Sequence, residues 1–243
     1  MKALILAAGY ATRLFPLTKE FPKPLLEVKG KPIIDYIVNK LNPIAAIDEI
    51  YVVTNSKFIG FFNSWVKIVK SPKKIILLDD QTKNNQDRLG AIGDINFAIA
   101  KKKIKDDLLV VGGDNLFSGY LKGFLNSARR NIQSVNIGLY RLKQKKDASR
   151  YGVAKLDKYK KVISFKEKPR YPQSCLVAMC LYFIPKDCLR LIKEYMQGNK
   201  IDATGGYIAW LKDRADVYGY TFSGSWFDIG DYKYLNAAKE EFA

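Results

Sequence analysis

The chain has 243 residues, 48% of them hydrophobic and 27% charged, with 41 Lys and Arg against 24 Asp and Glu, a net charge of +17 and no histidine. Without histidine there is no Ser-His-Asp or Cys-His nucleophile, no histidine zinc site and no imidazole base. No apolar run approaches the ~18 residues of a membrane span. The length suits one large domain or a domain with a small appendage. The positive balance favours anionic partners: phosphates, nucleic acid or acidic lipid.

Ala3 to Ala8 reads as the first strand. After Met1-Lys2 it imitates the start of a signal peptide. It is too short for an h-region, and Gly9 to Arg13 shows no small-residue cleavage pattern, so a buried strand in a cytoplasmic protein is expected. Pro32 to Ile44 follows, with Ile33, Ile34, Ile37, Val38 and Leu41 at helical spacing. Glu49 to Thr54 is a strand. Lys57 to Val69 places Phe58, Phe61, Phe62, Trp65, Ile68 and Val69 on one helical face, which reads as core. A strand at Lys74 to Leu78, a helix at Leu89 to Ala100, a strand at Asp107 to Gly112 and a helix at Leu121 to Arg130 complete an alternating first half.

Such alternation with short connections predicts a mostly parallel sheet covered on both faces. Ligands of these sheets bind outside the carboxyl ends of the strands, where the loops after Ala8, Leu78 and Gly112 lie. The second half reads as strands at Ser134–Leu142, Tyr151–Leu156, Val162–Lys166, Leu176–Ile184 and Ala215–Phe222, which extend the sheet and fold over its edge. The lysine clusters at 101–105 and 143–146 read as solvated faces or loops. Cys175, Cys180 and Cys188 lack metal-site spacing and read as reduced thiols in or near the core.

The opening loop, "LAAGYATRLFPLTKEFPKPL" from Leu6 to Leu25, carries the most chemical information. Its small residues let a flat ligand lie against the backbone, and Gly9 permits the turn. Successive amides there form an anion-binding concavity, and Arg13 offers a planar fork to phosphate. Pro16, Pro22 and Pro24 stiffen the loop around Lys23.

This stretch resembles the signature of the sugar-phosphate nucleotidyltransferases, L-A-A-G-x-G-T-R-L-x-P-L-T followed by P-K-P-L, with Ala11 in place of the second glycine. Gly113-Asp114-Asn115, Tyr151-Gly152-Val153, Glu167-Lys168-Pro169 and Trp226-Phe227-Asp228-Ile229-Gly230 match the family's later motifs in order. The resemblance implies an α/β, Rossmann-like three-layer sandwich with a mostly parallel central mixed sheet and a small β-rich sugar-binding extension. It implies one nucleotidyltransferase domain over 1–243, with a nucleotide-binding half at 1–130 and a sugar-phosphate-binding half at 131–243. By the same resemblance Leu6, Ala8, Gly9, Tyr10, Arg13, Lys23, Gly90 and Asp114 bind the nucleotide. Asn115, Gly152, Glu167, Lys168 and Trp226 bind the sugar phosphate, and Asp114 with Asp228 holds Mg²⁺. Arg13, Lys23, Asp114, Lys168 and Asp228 then carry the catalysis.

The implied reaction suits a chain without histidine. A phosphate oxygen of a sugar 1-phosphate, already ionised at neutral pH, attacks the α-phosphorus of a nucleoside triphosphate. No general base is required, and the difficulty is bringing polyanions together. Two unit charges at ~4 Å repel by roughly 4 kcal/mol at an effective dielectric of 20. Taken singly, Arg13 and Lys23 read as surface cations, Asp114 as a helix cap and Asp228 as a turn residue. Their joint order carries the functional reading.

Thymidylyl and uridylyl members of the family often carry Q-P-x-G-L-A after the third strand. Here the stretch is "DDQTKNNQDRLGAIGD", with Arg88 or Gly90 near the expected glycine. dTTP or UTP is favoured. CTP stays open, because the N-N pair is also similar to the phosphocholine cytidylyltransferases. Two rivals stand beside this reading. One is cytidylyl transfer to a phosphorylated alcohol or sugar. The other is a noncatalytic nucleotide- or nucleic-acid-binding protein on the same scaffold, which the charge favours and the retained Asp114 and Asp228 oppose. Thr204-Gly205-Gly206 reads as a loop or a helix start near the acceptor pocket. The expected partners are the two substrates, with no membrane or nucleic acid. The end of the sequence soon after the Trp226 motif suggests a monomer or small homo-oligomer.

Overall fold

The computed structural model describes residues 1–198 and 204–242. In chain order the elements are β1 (Lys2–Leu6), the short pair β2 (Glu27–Val28) and β3 (Lys31–Pro32), α1 (Ile33–Leu41), β4 (Glu49–Thr54), α2 (Ile59–Trp65), β5 (Lys74–Asp79), α3 (Gly90–Lys102), β6 (Leu108–Gly112), β7 (Asn115–Phe117) and α4 (Leu121–Arg130). There follow β8 (Val135–Arg141), β9 (Gly152–Leu156), β10 (Val162–Glu167), β11 (Leu176–Ile184), α5 (Arg190–Met196), α6 (Thr204–Leu211), β12 (Val217–Phe222), β13 (Trp226–Asp228) and α7 (Tyr232–Glu241).

One nine-stranded sheet runs β10-β9-β11-β6-β1-β4-β5, with β8 pairing β11 and β12. The four strands from β6 to β5 are parallel. Beyond them β11 is antiparallel to β6, β8 and β9, which makes the sheet mixed. β7 and β13 form a separate antiparallel ribbon that sets Asp228 opposite Asn115.

The central strands are apolar throughout because both their faces are covered. Successive side chains of a strand point to opposite faces. Accordingly Ala3 and Ile5 of β1 join Ile50 and Val52 of β4 in a core under α1, α2 and α4. Leu4 joins Tyr51 and Val53 in a second core under α3, α5 and α6. Both layers and the mixed sheet match the expected architecture.

Two local expectations change. Only Ile59–Trp65 of the 57–69 segment is α-helix. Phe58, Phe62 and Trp65, spaced four and three apart, are buried, whereas Phe61 is 40% exposed and Ile68 is 76% exposed. The helix ends at Trp65, three residues short of Ile68, so the helical spacing does not carry Ile68 inward. β1 ends at Leu6 rather than Ala8, although Ala7 still donates its N–H to the Val53 carbonyl at 2.8 Å. The lysine clusters are exposed and all three cysteines are free thiols. Among the described residues no helix is long and apolar enough to cross a membrane.

Candidate active site

A cavity of about 310 Å³ opens at the carboxyl edge of the parallel strands. Residues after β1, β5 and β6 line it, as the topology requires. Leu6, Ala8, Gly9, Tyr10, Lys23, Gly90 and Asp114 all face it, which brings together every expected nucleotide-side residue except Arg13.

The loop after β1 is held from several sides. Ala11 takes a left-handed conformation, φ 48°, the backbone path that glycine would follow most easily. Buried Thr18 donates its hydroxyl to the Ala11 carbonyl at 2.8 Å. Asn55 reaches from the end of β4 to donate to the Ala8 carbonyl at 2.8 Å. The Tyr10 hydroxyl pairs with Thr82 Oγ1 at 3.0 Å.

Gly113 closes the junction between β1 and β6. Its N–H donates to the Leu6 carbonyl at 2.8 Å. A Cβ there would stand 2.6 Å from that same oxygen, so only glycine allows the approach. Asp114 follows directly, and its Oδ2 accepts from Lys23 Nζ at 2.5 Å. The Lys23 side chain is 14% exposed and that of Asp114 is 28% exposed.

Asp228 arrives through the β7–β13 ribbon, with the Ile229 N–H donating to the Asp114 carbonyl at 3.3 Å. Burial and the nearby Asp114 carboxylate push Asp228 up to about 6, against the pull of Lys23, Arg13 and Arg150. Two carboxyls separated by more than a hundred residues therefore share one electrostatic environment. Arg13 is exposed and lies against Gly230, outside the cavity but on the Asp228 side.

Mg²⁺ commonly takes one or two carboxylates and completes its shell with water and substrate phosphates. Among the described residues no group of three or more His, Cys, Asp or Glu converges as a metal cage. The Asp114–Asp228 pair fits the more open type of donor set, with hard oxygen ligands beside a cationic loop.

The acceptor-side residues form a second group. Glu167, at the end of β10, lies against Gly152 and Gly205. A side chain at Gly205, in the first turn of α6, would collide with the Glu167 carboxyl. Burial raises the Glu167 carboxyl above its usual range, with Lys168 opposing. Lys168 is exposed, with φ 42°, and its Nζ is 3.7 Å from Glu167 Oε1. Thr204 Oγ1 accepts from the Tyr182 hydroxyl at 2.8 Å, so Thr204-Gly205-Gly206 is a helix start beside Glu167.

Trp226 packs between Tyr140 and Tyr151, at ring-centroid distances of 5.4 and 5.2 Å. Its indole N–H donates to Asn115 Oδ1 at 2.5 Å. Asn115 is deeply buried, at 2% exposure, and its amide is occupied by Trp226 at one end and the Met179 carbonyl at the other. Its side chain braces the site through those bonds.

Several neighbours carried no signal in the sequence. Arg150 donates to Asp231 Oδ2 and the Tyr234 hydroxyl, each at 2.8 Å, and faces Asp228. Cys180 sits in the bulge of β11 with φ 50° and lines the cavity. Burial, then Asp114 and Asp228, push its thiol up to about 12, so it stays protonated. Asp80 and Asp94 also line the cavity. Both stand in the polar stretch after β5, but nothing in that stretch distinguishes a buried acid from a solvated one.

Residues 2–243 match the family described as Nucleotidyl transferase. The chain belongs to that family. Among its relatives, the bifunctional protein GlmU of Methanococcus aeolicus is 30% identical over 240 residues, covering 95% of this chain and 51% of the relative. A candidate mannose-1-phosphate guanyltransferase of Sulfolobus acidocaldarius is 33% identical over 247 residues, covering 97% of this chain and 62% of the relative. The chain thus spans about half the length of the curated relatives it matches first. A UDP-glucose pyrophosphorylase solved with UDP-glucose superposes with a TM-score of 0.84 at 20% identity, covering 99% and 97% of the two chains. At that identity the likeness concerns the fold. The nucleotidyl transferase architecture thus accounts for the mixed sheet and for a cavity at its carboxyl edge.

Proposed function

We propose that the protein transfers a nucleotidyl group from a nucleoside triphosphate to a sugar 1-phosphate, giving a nucleoside diphosphate sugar and pyrophosphate. The observation that carries this reading is the convergence of Asp114 and Asp228, with Asp114 held by Lys23 under the Gly9 loop. The names of the relatives point the same way, since the guanyltransferase and the pyrophosphorylase are named for nucleotide and sugar-phosphate chemistry.

The triphosphate lies along the Gly9 loop, where backbone amides and Lys23 meet its negative charge. Asp114 and Asp228 are the residues that would hold Mg²⁺, which when bound neutralises phosphate oxygens. Arg13 and Lys23 stabilise the charge that builds on the leaving group. Gly152, Glu167 and the start of α6 receive the sugar, Lys168 anchors its phosphate and Trp226 walls the pocket. A nonbridging oxygen of the sugar phosphate bonds to the α-phosphorus. The bond from that phosphorus to the oxygen bridging the β-phosphate breaks, and pyrophosphate leaves with the electron pair. No proton has to move, which suits a site whose bases are metal-binding carboxylates. The roles of positioning and charge compensation are the ones such a transfer demands.

Pyrophosphate release over a grid of nucleoside triphosphates and sugar 1-phosphates, with Mg²⁺, tests the proposal. At least one pair is expected to turn over. Silence across the grid would overturn it.

A further inference from the structure

Strand order spreads the cavity's lining along the sheet edge. Lys23 and Asp114, bonded to each other, stand at the β6 side. Asp114 follows β6 and Asp80 follows β5, with β1 and β4 between. Three inter-strand steps separate them, about 14 Å. That span is comparable with the reach from an α-phosphorus to the far edge of a nucleobase. If the triphosphate lies at Lys23, the base lies toward Asp80.

Two acids wait there. Asp80 and Asp94 both line the cavity and each is 6% exposed. Asp80 Oδ1 is fixed by the N–H and hydroxyl of Thr82, at 2.7 and 2.8 Å. Asp80 Oδ2 and Asp94 Oδ1 have no hydrogen-bond donor among the described residues. The two carboxyls lie within hydrogen-bonding reach of each other, and burial together with Asp80 pushes Asp94 up to about 8. Burial raises Asp80 as well, and at neutral pH Asp94 keeps its proton. With two carboxyls and one of them protonated, it is a poor cation site. A buried acid pair is also costly to fold around, so stability does not explain its presence.

We infer that Asp80 and Asp94 read the nucleobase, and that the base they select carries an exocyclic amino group: guanine, cytosine or adenine in preference to uracil or thymine. The inference rests on the nucleotidyltransferase reading for the placement of the triphosphate. It departs from the dTTP or UTP preference that the opening loop's resemblance suggested. Carboxylates accept from base amino groups. Uracil and thymine instead present a single N–H flanked by two carbonyl oxygens. The one proton on Asp94 can serve one of those oxygens, and the other then faces an acceptor in a water-poor site. Guanine fits best, because its N1–H and its amino group sit side by side and match the two open acceptor oxygens, Asp80 Oδ2 and Asp94 Oδ1. The discrimination expected from one such pairing is about tenfold or more.

Equilibrium binding of GTP, CTP, ATP, UTP and dTTP to the full chain with Mg²⁺, by calorimetry, tests this separately from turnover. The tightest ligand is expected to be one of the three amino-bearing nucleotides, at least tenfold ahead of UTP and dTTP. Asp94→Asn places an amide donor in the pocket and should cut that ratio at least fivefold, with Asp80→Asn as the second variant and melting curves confirming that each is folded. UTP or dTTP binding as tightly as the best of the others overturns the inference in wild-type protein alone. So does a preference unchanged in both folded variants, and so does failure of all five to bind. If the binding order is as inferred but no sugar 1-phosphate releases pyrophosphate, the base assignment stands and the transferase reading falls.

Discussion

Replacing Lys23 with methionine tests the charge balance at the centre of the site. The substitution keeps most of the aliphatic stem and removes the ammonium that donates to Asp114 Oδ2 at 2.5 Å. Asp114 retains 28% side-chain exposure, so water takes over part of the lost hydrogen bond. The free protein should lose only about 1–2 kcal/mol. For a chain of this length that is a fall in melting temperature of roughly 2–8 °C. In the proposed transfer the transition state is affected more, because charge building on pyrophosphate then loses one of its two fixed cations and keeps only Arg13. Loss of one such electrostatic donor costs about 3–4 kcal/mol. That corresponds to a fall in kcat of roughly 150- to 900-fold. Steady-state pyrophosphate release read beside thermal unfolding separates the two effects. If Lys23→Met raises KM but leaves kcat within fivefold of wild type, Lys23 supplies only ground-state binding and the transition-state role is wrong.

Other perturbations have equally definite signs. Gly205→Ala drives a methyl group into the Glu167 carboxyl; the KM for sugar 1-phosphate should rise tenfold or more, while nucleotide affinity measured by calorimetry stays within twofold. Gly113→Ala forces a Cβ against the Leu6 carbonyl and should lower stability by about 1–3 kcal/mol in chemical denaturation. Asp94, raised from its ordinary 3.8 to about 8, keeps a proton that the unfolded chain gives up, so stability falls as pH rises from 3.8 to 8. Asp94→Asn should therefore match wild type near pH 4 and melt progressively higher than wild type toward pH 8; parallel melting curves across that range would refute the buried neutral acid. Chelating divalent ions should abolish pyrophosphate release with little change in melting temperature, because the ribbon and the sheet hold Asp114 and Asp228 in place.

Much of the architecture was legible because it depends on local pattern. The apolar run at Glu49–Thr54 is a strand with those same bounds, and Leu121–Arg130 is a helix as its spacing predicts. Alternating elements imply a parallel sheet, and a parallel sheet places its loops on one edge. From that the Gly9 loop, Gly90 and Asp114 were bound to meet.

Residue types and their order thus determined the fold class, the absence of imidazole chemistry and the meeting of the nucleotide-side loops. What the tertiary structure alone decided was which polar groups lose their water. Asn115 became a brace because the β11 bulge and Trp226 occupy its amide. Asp80 and Asp94 became a buried acid pair because α3, which carries Asp94, packs against β1 and β4 beside the loop that carries Asp80. Arg150 joined the Asp228 field through a contact with Asp231, 81 positions away. Charge and hydrogen-bonding type are written in each residue, but desolvation depends on every element packed around it, and no local stretch of sequence contains that information.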